Sequence, residues 1–280
     1  MTTKTVVITG ATDGIGLATV RDLLGGGAYV IAVARNKEKA MRIAKELDNG
    51  RLTFVFGDLS LKSEVTKIAD QIKTILDERN VPLHVLMHVA GAVSSKHIMT
   101  SEGIEWQFAV NHLAPFLLTK LLMPYLLKEK GARVLVVSSG AHKGGRVHFR
   151  NIMFKHGYFL ITVYAQSKLM NVLFVKESAN RIDPALVSFY ALDPGLVKTG
   201  LGVKKTFGLE KAAWLYQAKK GVDPSVPAHY FTEIALSPNY ALKSGLYWKN
   251  GVEKTPSKRA ENKKDMKRLY ELTDKLCETK

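Results

Sequence analysis

The chain has 280 residues, 46% hydrophobic and 24% charged, enough to bury a full core; with no Pro/Gly/Ser-rich linker, one domain over 1–280 is expected. Cys277 is the only cysteine, which excludes a disulfide framework and a thiolate metal cage and fits a reducing compartment. The formal charge of +16 is concentrated: residues 141–160 hold Lys143, Arg146, Arg150 and Lys155 with no acid, and residues 196–220 hold six lysines against Glu210 alone.

The first predicted strand, Thr5–Thr9, has no apolar signal core before it, so no export is expected and the protein is read as soluble and cytoplasmic. It runs into Thr9-Gly10-Ala11-Thr12-Asp13-Gly14-Ile15-Gly16, which opens a helix over about 15–26. Glycines in such a turn allow a pyrophosphate to approach the backbone and meet the free N–H groups and dipole of the helix N-terminus, with Thr12, Asp13 and Ile15 in the same loop. Strand two, near 29–33, ends in Ala34-Arg35-Asn36. An acid there would bind the ribose 2′-OH of NAD, whereas the Arg35 guanidinium suits the 2′-phosphate of NADP. NADP(H) is therefore the preferred cofactor and NAD(H) the alternative.

A helix over 37–48 and a strand over 52–56 lead to Gly57-Asp58-Leu59-Ser60, where Asp58 is placed to cap a helix over 61–78. Strand 85–89 holds His88 and gives way to the small residues Ala90 and Gly91. A helix predicted over 102–129 carries Asn111 and Pro115; the proline removes an N–H bond to the carbonyl of residue 111, so the helix should loosen there. Pro115, Lys120 and Pro124 interrupt its apolar run, which falls short of the ~20 residues of a membrane span.

Strand 133–137 enters Ser138-Ser139-Gly140, and a helix over 160–181 places Tyr164 and Lys168 four apart on one face. Strand 186–191 leads to Leu192-Asp193-Pro194-Gly195-Leu196-Val197-Lys198-Thr199, a rigid turn. Helices over 206–219 and 225–236, a strand near 244–249 and a charged helix over 258–278 complete the chain. Short apolar strands alternating with long helices predict an α/β fold: a Rossmann-type doubly wound parallel sheet of about seven strands with helices on both faces.

Thr-Gly-x-x-x-Gly-Ile-Gly, Ser139, Tyr164-Ala-Gln-Ser-Lys168 and the Pro194-Gly195 turn, in this order, resemble the short-chain dehydrogenase/reductase family, across nearly the whole chain. Asn111 to Thr119, Ser138 to His142 and Tyr164 to Phe174 look like its retinol dehydrogenase-like branch. The resemblance implies hydride exchange between a nicotinamide cofactor and a carbonyl or alcohol, with Tyr164 as general acid/base. Lys168, together with the charge of an oxidised nicotinamide, would lower the phenol pKa, and it would bond the nicotinamide ribose; Ser139, with Ser138 as runner-up, would bond the substrate oxygen. Asn111 would hold a water through its carbonyl, linking Lys168 to solvent. Asp58 and Leu59 would lie at the adenine, Ala90 and Gly91 beside the adenosine ribose, and Pro194, Gly195, Val197 and Thr199 at the nicotinamide.

This chain has His88-Val89 where the family shows Asn-Asn, so His88 either ties strands together or is a satisfied core histidine. The branch suggests an apolar aldehyde or ketone as substrate and a homodimer or tetramer paired through the helices of Asn111 and Tyr164. Residues 141–160 and 196–220 are read as the substrate segment and lid. Phe207, Trp214, Leu215 and Tyr216 either close over the substrate, with Lys204, Lys205 and Lys211 attracting anions, or form a packed helix with a solvated basic face. His142, His148 and His156 lack metal-ligand spacing, so no metal is expected, and no nucleic-acid module is present. The rival reading is a catalytically silent NADP(H)-binding regulator or redox sensor on the same fold.

Overall fold

Alternating apolar side chains on each strand can be buried only if both faces of the sheet are covered, and that requirement shapes this molecule. The computed structural model describes residues 3–47, 50–201 and 205–278. The strands are β1 (Thr5–Thr9), β2 (Tyr29–Ala34), β3 (Leu52–Phe56), β4 (Val85–His88), β5 (Ala132–Val137), β6 (Val187–Asp193), β7 (Leu246–Lys249) and β8 (Val252–Lys254). They form one sheet in the order β3-β2-β1-β4-β5-β6-β7-β8, parallel from β3 to β7.

The eighth strand exceeds the expected seven and runs antiparallel to β7, with Lys249 opposite Val252. Asn250 and Gly251, at φ 52° and 69°, make the two-residue turn between them. Positive φ at both central positions matches the right-handed twist of a hairpin.

Helices α1 (Gly14–Gly25) and α8 (Ser225–Leu236) cover one face, where Val20, Leu23, Phe231 and Ile234 meet Val6, Ile8, Val30 and Met87. On the opposite face lie α3 (Lys62–Glu78), α5 (Ala114–Leu126), α6 (Leu160–Arg181) and α9 (Lys263–Glu278), packed on Val7, Ile31, Leu86 and Val134. Helices α2 (Lys37–Glu46) and α7 (Gly208–Lys219) complete the long helices. No helix is long and apolar enough to cross a membrane among the described residues.

Two helix boundaries differ from expectation for identifiable reasons. The helix predicted from 102 begins at α4 (Trp106–Phe108), because the Glu105 carboxylate accepts from Gln107 N at 3.0 Å and Phe108 N at 2.7 Å and caps it there. The helix predicted from 258 is a tight turn over Lys258–Glu261, and α9 starts afresh where Asn262 Oδ1 accepts from the N–H groups of Lys264 and Asp265.

Helix α9 lies across α5 and α6. Its Met266, Leu269 and Thr273 are buried, the Tyr270 ring stands 4.8 Å from Phe116, and Lys120 bonds Asp274 at 2.6 Å. Self-pairing through α5 and α6 would therefore have to include α9.

Candidate active site

The sheet reverses its direction of winding between β1 and β4, and the loops after these strands part to leave a cleft at their carboxyl ends, the usual ligand crevice of an open α/β sheet. The cleft encloses about 320 Å³. Gly10, Thr12, Asp13, Gly14, Ile15 and Gly16 line one end of it; Arg35, Asp58 and Leu59 flank it; Ala90 and Gly91 form its floor; Tyr164, Lys168, Pro194 and Thr199 close the far end.

The glycine loop leaves no room for side chains. At φ 72°, a Cβ on Gly10 would stand 2.7 Å from Ala90 N, and one on Gly16 would stand 2.1 Å from the Gly10 carbonyl oxygen. Close backbone approach is thus built into the turn. Asp13 caps α1 by accepting from Gly14 N at 2.9 Å, and Lys39 Nζ sits 3.2 Å from its carboxylate.

Arg35 reaches Asp58 at 3.5 Å with 65% of its side chain exposed. Burial raises the Asp58 pKa, but hydrogen bonds from Ser60 and the Arg35 charge outweigh it and hold the carboxyl below its ordinary value. Asp58 does not cap α3: it closes a turn onto Ser60 N at 2.8 Å. Glu102 caps that helix instead, accepting from Lys62 N and Ser63 N. Asn36 caps α2 through Lys39 N at 2.7 Å and does not line the cleft.

At the far end, Tyr164 and Lys168 project from one face of α6, with Lys168 Nζ 5.6 Å from the centre of the phenol ring. Both are buried. Lys168 Nζ donates to the Val137 carbonyl at 3.1 Å. The Ser139 hydroxyl accepts from Ala141 N at 3.2 Å and acts to lower the pKa of the Tyr164 phenol. Ser138 lines the cleft, whereas Ser139 does not, and the buried Ser138 hydroxyl donates to the Lys168 carbonyl at 2.7 Å.

Burial pushes the Tyr164 phenol up to about 12, against the opposing pull of Ser139, and Asp193 adds to the rise. Burial alone pushes Lys168 down to about 8. Desolvation dominates both groups in this arrangement.

Asn111 sits in a widened turn over Ala109–Leu113, where Ala114 N bonds the Ala109 carbonyl five residues back; the helix loosens just before Pro115, as expected. Its Oδ1 accepts from Ala92 N at 2.6 Å, and its Nδ2 donates to Ala92 O and Ser167 Oγ. The side chain ties the floor of the cleft to α6, and both its amide protons are committed.

Residues 4–208 match the family model described as short chain dehydrogenase. The chain belongs to this family. It is 33% identical to retinol dehydrogenase 11 of Homo sapiens over 96% of this chain and 84% of that protein. It is 31% identical to the WW domain-containing oxidoreductase of Pongo abelii over 99% of this chain and 69% of that one. Among solved structures it is similar to an uncharacterized protein from Mycobacterium paratuberculosis, at 28% identity and TM-score 0.78, covering 99% of this chain and 94% of that one. This short-chain dehydrogenase is accordingly an oxidoreductase of CH–OH and C=O groups that binds NAD(P)(H).

Several family positions lie away from the cleft lining. Gly195, at φ 72°, donates its N–H to Asp193 Oδ1 at 2.9 Å, and Val197 pairs with Val222 in an isolated bridge. His88 is a satisfied core histidine: its Nε2 lies 2.8 Å from Thr119 Oγ1, whose proton goes to the Pro115 carbonyl, so the imidazole donates. It joins β4 to α5 and not strand to strand. His142 is buried between Ser139 O and Ser257 N, and His156 is exposed.

Sequence reasoning missed Asp193 as more than part of a turn. Buried under the Pro194 turn, its carboxylate accepts from Tyr247 OH at 2.7 Å and bears on the Tyr164 phenol. It also missed the apolar wall: Val93 and Leu160 pack on Tyr164, Leu201 and Trp214 lie against them, and Trp106 and Val110 line the cleft. The Trp214 ring meets Tyr164 edge-on at 5.9 Å. Phe207, Leu215 and Tyr216 are exposed, so α7 presents Trp214, not all its large side chains, to the site. Lys205 stacks on Trp106 at 3.9 Å and Lys211 faces solvent; Lys204 lies outside the described residues.

Proposed function

We propose that this protein is an NADP(H)-dependent oxidoreductase interconverting an apolar aldehyde or ketone and its alcohol, with Tyr164 as general acid/base. The observation that carries this reading is the Tyr164 phenol with the buried Lys168 ammonium 5.6 Å from its ring, at the end of a cleft lined by the glycine loop. The fit to a dinucleotide rests on the Gly10–Gly16 turn, where backbone alone meets the cleft. When bound, the nicotinamide supplies or accepts the hydride.

The chain's own residues divide the remaining work. The first turn of α1 takes the pyrophosphate, with Lys39 offsetting the Asp13 charge nearby. Arg35 receives the 2′-phosphate, which competes favourably with the 3.5 Å contact to Asp58. Gly91 leaves space over the Lys168 ammonium for a ribose. Ser139 holds the substrate oxygen against the phenol. A phenol held near 12 keeps its proton at neutral pH, the state needed to protonate a nascent alkoxide. Alcohol oxidation requires the opposite state, which the positive charge of an oxidised nicotinamide favours. The wall of Val93, Trp106, Leu160 and Trp214 selects apolar substrates and excludes water.

Residues 141–160 and 196–220 are assigned to the substrate side of a single domain, and the lone Cys277 favours a reducing, cytoplasmic setting. The test is NADPH oxidation against a panel of apolar aldehydes and ketones, with Tyr164→Phe and Arg35→Ser compared in NADPH and NADH. Tyr164→Phe should lose about 10²–10⁴ in turnover while still binding cofactor. Arg35→Ser should lose roughly 10–100-fold in kcat/KM with NADPH and little with NADH. Cofactor binding with no turnover across the panel would transfer the protein to the regulatory reading.

A further inference from the structure

Ser139 opens the tight turn Gly140–Gly144, and its carbonyl accepts twice, from His142 N at 3.0 Å and from His142 Nδ1 at 2.8 Å. On the other side of the same ring, Ser257 N donates to His142 Nε2 at 3.1 Å, a contact made 115 residues along the chain. The imidazole is fully buried. It lies 4.7 Å from the ring of Tyr247, whose hydroxyl donates to Asp193 under the Pro194 turn.

The two ring contacts fix the proton. A carbonyl oxygen can only accept, so Nδ1 carries the hydrogen; a backbone N–H can only donate, so Nε2 keeps its lone pair. Each contact by itself selects the same neutral tautomer, and together they satisfy both ring nitrogens without charge. An imidazolium would set a second proton against Ser257 N–H, and burial already disfavours that form.

The turn is held at further points. Arg259 Nη1 donates to the Gly145 carbonyl at 3.0 Å, and the neighbouring Ala260 is buried in the core, which anchors this segment. Gly145 lies directly on α6: a Cβ there would stand 2.4 Å from the carbonyl oxygen of Ala165, the residue after Tyr164. Ala141 packs against the cluster that contains Tyr164. The short segment from Ser257 to Arg259 thus grips the turn at its middle and at its end, against the helix that carries the phenol.

We propose that His142 is a positioning residue for Ser139, relaying the hold of the Ser257–Arg259 segment onto the Ser139 carbonyl and so setting the serine beside Tyr164. The inference rests on the reading of Ser139 as the group that bonds the substrate oxygen. The bond from His142 N closes the turn only locally. The ring bond ties the same carbonyl to a segment anchored elsewhere in the core, so the peptide that carries the serine is fixed from two directions. A shift of about 1 Å at a reacting group costs up to ~10²-fold in rate, which is the effect this brace prevents.

Nitrogen-15 NMR of the natural full-length protein tests the link without a variant, the His142 ring being assigned through its contact with the Ser257 amide. A protonated Nδ1 with an unprotonated Nε2 is expected; the reverse tautomer breaks the bond to Ser139 and overturns the proposal. Kinetically, His142→Leu should lower kcat about 10–100-fold with KM for the carbonyl substrate and Kd for NADPH unchanged. His142→Asn, which keeps an N–H near the Nδ1 position, should recover most of that loss. In a Ser139→Ala background, His142→Leu should cost nothing more, because it acts through the serine. Ser139→Ala also separates the two readings. If that variant turns over normally, the assignment of Ser139 itself fails. If it is slow while folded His142→Leu keeps the natural kcat, or if the two losses multiply in the double variant, only the positioning role fails.

Discussion

Replacing Gly91 with alanine separates folding from cofactor binding. The ideal Cβ stands 3.7 Å from Lys168 Nζ, 3.8 Å from Asn111 Oδ1 and 3.8 Å from Leu201 Cδ1, all ordinary van der Waals distances. The backbone at Gly91 is not among the positive-φ glycines, so alanine meets no conformational penalty. With fewer unfolded conformations to lose, the variant should be as stable as the natural chain or about 0.4–1 kcal/mol more so. Its methyl nevertheless projects over the ammonium into the space assigned to a ribose. Displacing a ligand from a close-packed floor should cost at least ~1.4 kcal/mol, a tenfold weaker Kd. Gly10→Ala is the contrast. There the Cβ would lie 2.7 and 2.8 Å from Ala90 N and Cα at φ 72°. Left-handed strain of about 1–2 kcal/mol and overpacking of about 1–3 kcal/mol should both destabilise the fold. Thermal unfolding and NADPH fluorescence titration of the two variants check the pair. A Gly91→Ala protein that folds normally and binds cofactor as before would show that the ribose does not use this space, and the assignment of the cleft floor would be wrong.

Ser139→Ala should lower turnover about 10²–10³-fold with cofactor affinity intact. Ser138→Ala loses a buried bond to the Lys168 carbonyl and should instead cost about 1 kcal/mol of stability, read by chemical denaturation. Burial sets Lys168 near 8 against 10.5 for the free side chain. Between those values the unfolded chain binds a proton that the folded chain has released, so this residue's contribution to stability rises with pH from about 8 to 10.5. Cofactor affinity that uses the ammonium should fall as pH passes 8. Calorimetric titration of cofactor into the natural protein and Lys168→Met should show that limb only in the former.

The doubly wound parallel sheet and the glycine turn at its first strand were legible because they follow from patterns that tolerate few alternatives. Val6 and Ile8 must face one helix layer and Val7 the other, and Gly10 and Gly16 occupy positions where any Cβ would strike backbone. The β7–β8 hairpin was not predicted: Asn250-Gly251 is a strong two-residue turn signal, but the short exposed β8 has no apolar run to mark it as a strand. Other features depended on partners distant in the chain. Glu102 caps α3 from 40 residues away, and Glu105 resets the start of the next helix by turning its carboxylate onto that helix's N–H groups. No local spacing encodes either.

The same limit applies to chemistry. Tyr164 and Lys168 can be placed on one face by counting, but the sign of their pKa shifts depends on the water that the surrounding protein excludes from them. Trp214 comes from α7, Asp193 from the end of β6, and the wall of Val93 and Leu160 from two further segments. A charge-pair argument made from the motif alone omits burial, which raises the phenol and lowers the ammonium at the same time. In this protein the motif places the phenol and the ammonium together, and the packing around them decides the direction in which each pKa moves.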